Sequence, residues 1–222
     1  MKIDNSCRTC HTNPEGPEAC NTCHGAFAED VNDLHNVAPP AGLNNETDPT
    51  SPAVGAHQTH LAFFEAVEAT CRECHTLPES MAAAGHIDAD GQADVLFQGV
   101  LALTTTEGGA RVPSPAFDPA TNGCENTYCH GNWGLPKSGS QNPFFFAEEK
   151  MQGNNATPVW NDPETGACGT CHDLPPKGHN PFALNECANC HLDIINREGE
   201  FIDKSVHVNG KINVFRLEYP MF

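Results

Sequence analysis

The stretch Cys168-Gly169-Thr170-Cys171-His172 decides how this chain is organised, because its pattern of two cysteines and a histidine recurs along the sequence. Four further copies keep the C-x-x-C-H spacing. In a sixth copy, C-E-N-T-Y-C-H, the gap between the cysteines is two residues wider. The six motifs use every cysteine of the chain: Cys7, Cys10 and His11; Cys20, Cys23 and His24; Cys71, Cys74 and His75; Cys124, Cys129 and His130; Cys168, Cys171 and His172; Cys187, Cys190 and His191.

The C-x-x-C-H pattern is the attachment signature of a c-type haem. The two thiols bind the porphyrin vinyl groups as thioethers, and the adjacent imidazole becomes the proximal ligand of the iron. Zinc knuckles and disulfide frameworks are the alternatives, but neither requires a histidine directly after every second cysteine. All six motifs carry that histidine. We therefore predict six covalently bound haems c, and the wider motif spans the same two vinyl groups with a longer loop.

The composition predicts a loop-rich fold built around its haems. Only 38 % of the 222 residues are hydrophobic, and 19 Gly and 18 Pro together make 37 turn-forming residues. Such a chain buries too little apolar surface to offset its conformational entropy, whereas six macrocycles supply large apolar bodies. We predict a mostly irregular structure with a few short helices and β-hairpins, wrapped around a stack of six haems. Residues 1–222 are expected to form a single hexahaem unit, with possible subclusters of three haems each in residues 1–110 and 111–222.

Local patterns predict few regular elements. Residues 57–70 are the best helix candidate. Residues 95–105 are predicted as a strand, with a turn at Glu107-Gly-Gly-Ala that makes it half of a short hairpin. Residues 39–52 and 113–165 are predicted as loops. Within the second loop, the cluster Phe144-Phe-Phe is expected to pack on a porphyrin face rather than to form a partner site.

A weak internal repeat follows two of the motifs. Residues 86–97 and 207–215 each contain a histidine, a glycine turn and a short strand. In the second copy, Asn209-Gly210 is typical of a type I′ hairpin turn. In the first copy, Asp88-x-Asp90-Gly91 resembles the start of a calcium loop. It lacks the remaining ligands and the terminal Glu, which favours ordinary turn chemistry.

Six histidines remain after the proximal ligands are assigned: His35, His57, His60, His86, His179 and His207. Six irons need six further axial ligands to become six-coordinate, so we predict that all six histidines are distal ligands. Met81, Met151 or one of the terminal residues Met1 and Met221 is the alternative at one site. On a helix His57 and His60 would be neighbours, and we expect them to serve two adjacent haems. The pairing of distal histidines with irons stays open, because even the eleven residues from His75 to His86 can span up to about 36 Å.

Ligation by two imidazoles has a chemical consequence. Both axial positions are filled, so no iron is open to a substrate, and histidine ligation without methionine favours low-potential, low-spin haem. No catalytic triad, phosphate loop or pair of carboxylates stands out in the sequence. We therefore predict an electron-transfer protein that is not an enzyme. A haem reductase, which needs a five-coordinate iron, is the alternative from another class.

The strong negative charge limits the classes of molecule that this protein is expected to bind. With 29 acidic and 11 basic residues the net charge is −18, which argues against nucleic-acid or anionic-membrane binding. It fits cationic partners or divalent ions, including calcium, at haem propionates or acidic loops. No stretch approaches the roughly 18 apolar residues of a membrane span. The N-terminus lacks an apolar signal region. Because such haems are attached outside the cytoplasm, we expect that a signal peptide has been removed.

Several stretches together resemble the C-x-x-x-x-C-H/C-x-x-C-H family of multihaem cytochromes, which is typical of dissimilatory metal-reducing bacteria. The resemblance covers roughly residues 53–215 and implies a periplasmic, surface or extracellular role in exporting respiratory electrons. Other multihaem cytochromes or extracellular electron acceptors would be the partners. The stretches are Gly55-Ala-His57-Gln-Thr-His60-Leu, the wider motif with the following Gly131-Asn-Trp, Cys168-Gly-Thr-Cys171-His172-Asp-Leu-Pro-Pro, and His207-Val-Asn-Gly210.

The haem-rich build is also similar to that of cytochromes that polymerise into extracellular electron-conducting filaments, or nanowires. At 222/6 = 37 residues per haem, the ends of a haem stack would be poorly covered. Head-to-tail self-association would bury those apolar edges and propagate into a filament. We expect the region around His35 or residues 214–222 to reach a neighbouring subunit, where a distal histidine could also ligate the neighbour's iron. A discrete soluble carrier is the alternative.

Overall fold

The computed structural model describes residues 11–64, 68–87, 92–103, 106–107, 110–111 and 114–220. Two of the predicted features lie outside these residues. They are the cysteines of the first motif, Cys7 and Cys10, and the turn at Asp88-x-Asp90-Gly91.

Regular structure in the described ranges is limited to short elements. The α-helices are α1 Leu34–Val37, α2 His57–Phe63, α3 Glu68–Cys71, α4 Val100–Leu103 and α5 Leu184–Cys187. The strands are β1 Thr106–Glu107, β2 Ala110–Arg111, β3 Ala116–Asp118, β4 Gly123–Glu125, β5 Gly134–Pro136, β6 Lys150–Gln152, β7 Lys211–Val214 and β8 Leu217–Pro220. Short 3-10 helices cover Cys20–Thr22, Tyr128–His130, Lys137–Gly139, Pro143–Phe145, Pro163–Gly166 and Lys204–Val206.

The strands pair into four separate antiparallel hairpins, β1–β2, β3–β4, β5–β6 and β7–β8. Together with the short helices, this confirms the prediction of a mostly irregular chain with few helices and hairpins. The prediction that residues 113–165 are loop was wrong for β3 to β6. These strands are only three residues long, which is too short for an alternating apolar pattern to appear in the sequence. Among the described residues, no helix is long and apolar enough to cross a membrane.

The helix predicted over residues 57–70 is interrupted. Helix α2 ends at Phe63, and Phe64 has an extended backbone with φ −111° and ψ 157°. Helix α3 begins at Glu68. The sequence here contains no Gly or Pro to signal a stop. The break falls at two consecutive aromatic residues, which are weaker helix formers than their neighbours.

The strand predicted over residues 95–105 was wrong for the described residues, since residues 95–99 belong to no helix or strand. Val100–Leu103 forms helix α4, because its Leu and Ala residues are strong helix formers. The hairpin predicted at Glu107-Gly-Gly-Ala is confirmed, although it begins later than expected. Strands β1 and β2 pair Thr106 with Arg111 and Glu107 with Ala110.

The C-terminal hairpin turns at a different place from the one predicted. Val214 of β7 pairs with Leu217 of β8, and the two residues between them have φ values of 54° and 62°, as in a type I′ turn. Asn209 instead leads into β7, where its Oδ1 accepts a hydrogen bond from Lys211 N at 3.0 Å. Asn209-Gly210 is therefore an Asx turn before the strand, and the prediction of a hairpin turn there was wrong.

The chain divides into two compact units. Unit 1 contains residues 1–96 and 160–163, and unit 2 contains residues 97–159 and 164–222. Each unit includes three of the six motifs. Few apolar side chains of the described residues are buried in either unit: Val54, Leu61, Phe97, Ala102, Cys124, Tyr128, Phe146, Met151, Ala188 and Val214.

Candidate haem-binding sites

Two of the motifs share one local backbone conformation. Helices α3 and α5 each end at the first cysteine of a motif. The backbone N–H of the motif histidine then donates to the carbonyl of that cysteine, at 2.9 Å for both His75 to Cys71 and His191 to Cys187. The turn therefore brings the first cysteine and the histidine of the motif together, as attachment to one haem requires.

The described cysteines do not pair with one another. No disulfide joins any of the ten. In the described part of the chain, no three His, Cys, Asp or Glu side chains gather in the geometry of an ion site. Cys124 lies buried in β4, and burial raises the pKa of its thiol to about 11.

Seven histidines share a feature of metal-binding imidazoles, which is an oxygen acceptor at Nδ1. A carbonyl or carboxylate oxygen can only accept, so Nδ1 carries the proton and the Nε2 lone pair is available to a metal. The contacts are His35 with Asp33 Oδ1 at 3.0 Å, His57 with Val54 O at 2.7 Å, His75 with Asp94 O at 2.7 Å, His86 with Met81 O at 3.1 Å, His172 with Asp173 O at 2.8 Å, His179 with Asn180 O at 2.7 Å and His191 with Asn213 O at 2.8 Å.

Three motif histidines have a second imidazole at the spacing of a bis-histidine iron. A metal–nitrogen bond of about 2 Å on each side, plus about 1.15 Å from Nε2 to each ring centre, puts the two ring centroids about 6.3 Å apart. The observed distances are 6.5 Å for His24 and His86, 6.3 Å for His75 and His57, and 6.2 Å for His172 and His207. These spacings fit one iron between each pair. Each second imidazole belongs to the predicted distal set.

Burial keeps several of these imidazoles neutral. It lowers the pKa of His57, His130 and His207 to about 4. It also lowers the pKa of His191, which the nearby His179 lowers further, with a smaller effect from His172. Neutral imidazole is the form that binds a metal. The buried histidines are therefore in their ligating state at neutral pH.

Aromatic side chains cover several of the histidine rings. In unit 1 the indole of Trp160 contacts both His57 and His60, with centroids 4.6 Å and 5.7 Å away. In unit 2 the pairs are Phe145 and Phe182 with His179 at 6.4 Å and 5.7 Å, Phe201 with His207 at 4.8 Å, and Trp133 with His172 at 6.2 Å. No sequence pattern predicted Trp160, Phe182 or Phe201 beside these histidines. Of these only Phe182 lies within three residues of its histidine, so the sequence carries little signal for them.

The phenylalanine cluster is divided among three environments. Phe144 is 80 % exposed, whereas Phe146 is buried. Phe145 stacks on the His179 imidazole with an interplanar angle of 24° and also contacts Phe215. Packing of this cluster on a porphyrin face stays a prediction. The structure adds that its middle residue covers a predicted axial ligand.

Residues 153–156 join the fourth and fifth motifs within unit 2. Asn154 N donates to Cys171 O at 2.8 Å, and Ala156 N donates to His130 O at 2.9 Å. Gly131 fits between the two motifs only because it lacks a side chain. Its φ is 95°, and a Cβ there would overlap the Cys171 carbonyl. The wider motif and the motif after it are therefore held against one another by backbone contacts.

A buried polar cluster supports the second motif in unit 1. Asn21, one of the two residues between Cys20 and Cys23, is only 1 % exposed. Its Nδ2 donates to the carbonyls of Ala26 and Glu29, both at 2.8 Å, and its Oδ1 accepts from Asn13 Nδ2 at 3.0 Å. The loop around this motif is thus organised by hydrogen bonds rather than by an apolar core.

The remaining predicted ligands are placed less specifically. His35 is the second residue of helix α1, and its side chain is 49 % exposed. Met151, an alternative ligand, is buried in β6 opposite Leu135. The carbonyl of Met81, the other alternative, accepts the hydrogen bond from His86. The assignment of each of the six distal histidines to an iron stays a prediction.

Four motif histidines suit covalently attached haem, because His24, His75, His172 and His191 each have an Nδ1 acceptor, a second imidazole at the bis-histidine spacing, or both. A comparison with protein families agrees over part of the chain, since residues 123–172 match the family described as the Geobacter CxxxxCH...CXXCH motif. The match covers the fourth and fifth motifs and the segment that joins them. This is a motif of multihaem c-type cytochromes, proteins of electron transfer, and the C-x-x-C-H motifs indicate covalently bound haem c. Neither curated proteins nor solved structures gave a match.

Proposed function

We propose that this protein transfers electrons through six covalently bound haems c, each ligated by two histidines, and that it is not an enzyme. The observation that carries the proposal is the occurrence of three imidazole pairs with ring centroids 6.2 to 6.5 Å apart. With both axial positions of an iron filled, electrons can pass through it but a substrate cannot bind to it.

The chain's own groups hold and tune these sites. When bound, each haem supplies a one-electron redox couple. The acceptors at Nδ1, such as Asp94 O for His75 and Asn213 O for His191, fix the plane of each imidazole and raise its basicity. A more basic ligand favours the ferric state, which lowers the reduction potential. Residues 153–156 keep two attachment motifs adjacent, and short distances between haems favour transfer.

We further propose that the protein exports electrons at the cell surface or outside the cell and assembles head to tail into a filament. A location in the periplasm as a discrete carrier is the alternative. The density of one motif per 37 residues (222/6) supports exposed haem edges. So do exposed apolar side chains such as Phe144 at 80 %, Ile87 at 69 % and Leu43 at 65 %. Divalent cations, including calcium, would offset the charge of −18 at the joints.

Haem content and spin state test the electron-transfer proposal. The native protein should give six haems in a pyridine haemochrome assay and by intact mass. Its ferric haems should all be low-spin by EPR, and the reduced protein should bind no carbon monoxide. A fraction of high-spin haem that binds carbon monoxide would instead favour the reductase. Five haems would remove the wider motif from the set of attachment sites.

Light scattering and negative-stain microscopy test the filament proposal. The native protein should assemble into linear particles with calcium present, and a chelator should shorten or dissociate them. High salt without a divalent ion is the control for simple charge screening. A uniformly monomeric protein under all three conditions would favour the discrete carrier.

A further inference from the structure

We propose that residues 20–96 and residues 168–216 are two copies of one dihaem module in which the two distal histidines are exchanged between the motifs. Each copy contains a leading motif and a trailing motif. The histidine before the trailing motif ligates the trailing iron, and the histidine after it ligates the leading iron. This inference rests on the proposed bis-histidine ligation and assigns the irons that the individual histidines serve.

The trailing motifs of the two copies have the same backbone structure. Helices α3 and α5 are four residues long, and each ends at the first cysteine of its motif. The second cysteine N donates to the carbonyl of the first at 3.2 Å in both motifs, and the histidine N donates to the same carbonyl at 2.9 Å in both. Two helices of equal length, with matching hydrogen bonds after them, define the same local structure.

A segment that follows each trailing motif is hydrogen-bonded to it in the same register. In the first copy, His75 Nδ1 donates to Asp94 O at 2.7 Å, and Leu96 N donates to Cys74 O at 2.8 Å. The acceptor and the donor of this segment are two residues apart, so the segment is clamped to the motif at both ends.

The second copy repeats both hydrogen bonds atom for atom. His191 Nδ1 donates to Asn213 O at 2.8 Å, and Phe215 N donates to Cys190 O at 2.7 Å. The same offset of two residues separates acceptor and donor. Residues 94–96 and 213–215, at the ends of the weak sequence repeat, therefore make the same contacts with their motifs.

The distal histidines follow one order along the chain in both copies. His57 precedes its trailing motif and lies 6.3 Å from His75. His86 follows that motif, yet its ring lies 6.5 Å from His24 of the leading motif. The crossing of ligands is thus visible in the ring distances of the first copy.

The second copy shows the same exchange. His207 follows the trailing motif, and its ring lies 6.2 Å from His172 of the leading motif. His179 precedes the trailing motif, in the position that His57 occupies in the first copy, and the module assigns it to the iron of His191. The leading haem of a module is then complete only with a histidine from beyond the trailing motif.

The copies differ in the length of chain between their motifs. The two proximal histidines are 51 residues apart in the first copy (75 − 24) and 19 in the second (191 − 172). His35 and His60 lie in this longer connection and have no counterpart in the second copy. The module therefore predicts that neither of them ligates an iron of the module.

Additivity of ligand losses in the full-length, haem-loaded protein tests the exchange. His172→Ala, His191→Ala and His207→Ala should each convert one haem to high-spin, counted by quantitative EPR against a haemochrome value of six. Because His172 and His207 share an iron, their double variant should still contain one affected haem. The His191→Ala/His207→Ala variant should contain two. The reverse pattern would overturn the exchange.

The first copy gives an independent test with a matched control. His24→Ala/His86→Ala should affect one haem, and His75→Ala/His86→Ala should affect two. His60→Ala combined with either His24→Ala or His75→Ala should affect two haems, because His60 ligates neither iron of the module. A single affected haem in either His60 combination would overturn the module as described.

A second series of variants is used where a His→Ala replacement causes loss of the haem. His→Met replacements keep a ligand at each position, and near-infrared magnetic circular dichroism separates haems with one Met ligand from haems with two. His172→Met/His207→Met should contain one haem with two Met ligands, and finding two haems with one each would overturn the exchange. If no single variant changes any haem, the bis-histidine proposal itself fails. If the single variants each affect a haem but the double variants show other pairs, only the proposed exchange fails.

Discussion

The indole of Trp160 lies edge-on to the imidazole of His57, with ring centroids 4.6 Å apart and an interplanar angle of 88°. The same indole stacks on His60 at 5.7 Å. Its Nε1 donates to Pro52 O at 2.9 Å. Gly55 leaves room for it, since a Cβ at that position would overlap the indole. One side chain, more than a hundred residues away in sequence, therefore positions two predicted axial ligands.

Replacing Trp160 should change the haem electronic structure without removing a haem. We expect Trp160→Ala to retain six low-spin haems but to shift the g values of at least one of them, because His57 can then rotate about its bond to the iron. Trp160→Phe keeps an aromatic ring and should produce a smaller shift. Phe144→Ala, at an exposed aromatic residue, is the control. EPR and redox titration measure the effects, and a Trp160→Ala spectrum identical to the native one contradicts the positioning role.

The angles between paired imidazoles predict two kinds of low-spin haem. The rings of His24 and His86 are at 85°, and those of His57 and His75 are at 28°. Nearly parallel ligand planes split two iron d orbitals and give a rhombic EPR signal. Perpendicular planes leave these orbitals nearly degenerate and give a highly anisotropic signal. His86→Ala should remove one haem from the anisotropic signal, and His57→Ala one from the rhombic signal. Loss from the opposite signals would contradict these geometries.

The sequence was sufficient for the chemistry of the sites because thioether attachment needs two cysteines and a histidine close together in the chain. It was also sufficient for the loop-rich fold, since composition alone limits the buried apolar surface. It did not predict Trp160 beside His57, because no local pattern connects residues so distant. The type I′ turn at Phe215 and Arg216 was equally hidden, since both residues are unusual at positive φ. There the pairing of β7 with β8 outweighs local preference.

Gly131 provides a test of the contact between the fourth and fifth motifs. Gly131→Ala should destabilise the protein, because an αL conformation costs a non-glycine residue about 1–2 kcal/mol and the new Cβ would overlap Cys171 O. We expect a lower denaturation midpoint and a lower yield of protein with six haems. Gly166→Ala is the matched control, since its Cβ would meet no atom within 4 Å. Equal midpoints for the two variants would show that the motifs do not depend on this close approach.

Asn21 gives the most direct test of the polar cluster around the second motif. Asn21→Ala removes three hydrogen bonds, to the carbonyls of Ala26 and Glu29 and to the amide of Asn13, and each lost hydrogen bond costs about 0.5–1.5 kcal/mol. Asn21→Asp should be worse, because a buried carboxylate would face two carbonyl oxygens. Asn32→Ala, at an exposed residue, should change stability by less than about 0.5 kcal/mol. Guanidinium unfolding of the haem-loaded protein measures the order of stability of these variants. An Asn21→Asp variant as stable as the native protein would contradict the expected order.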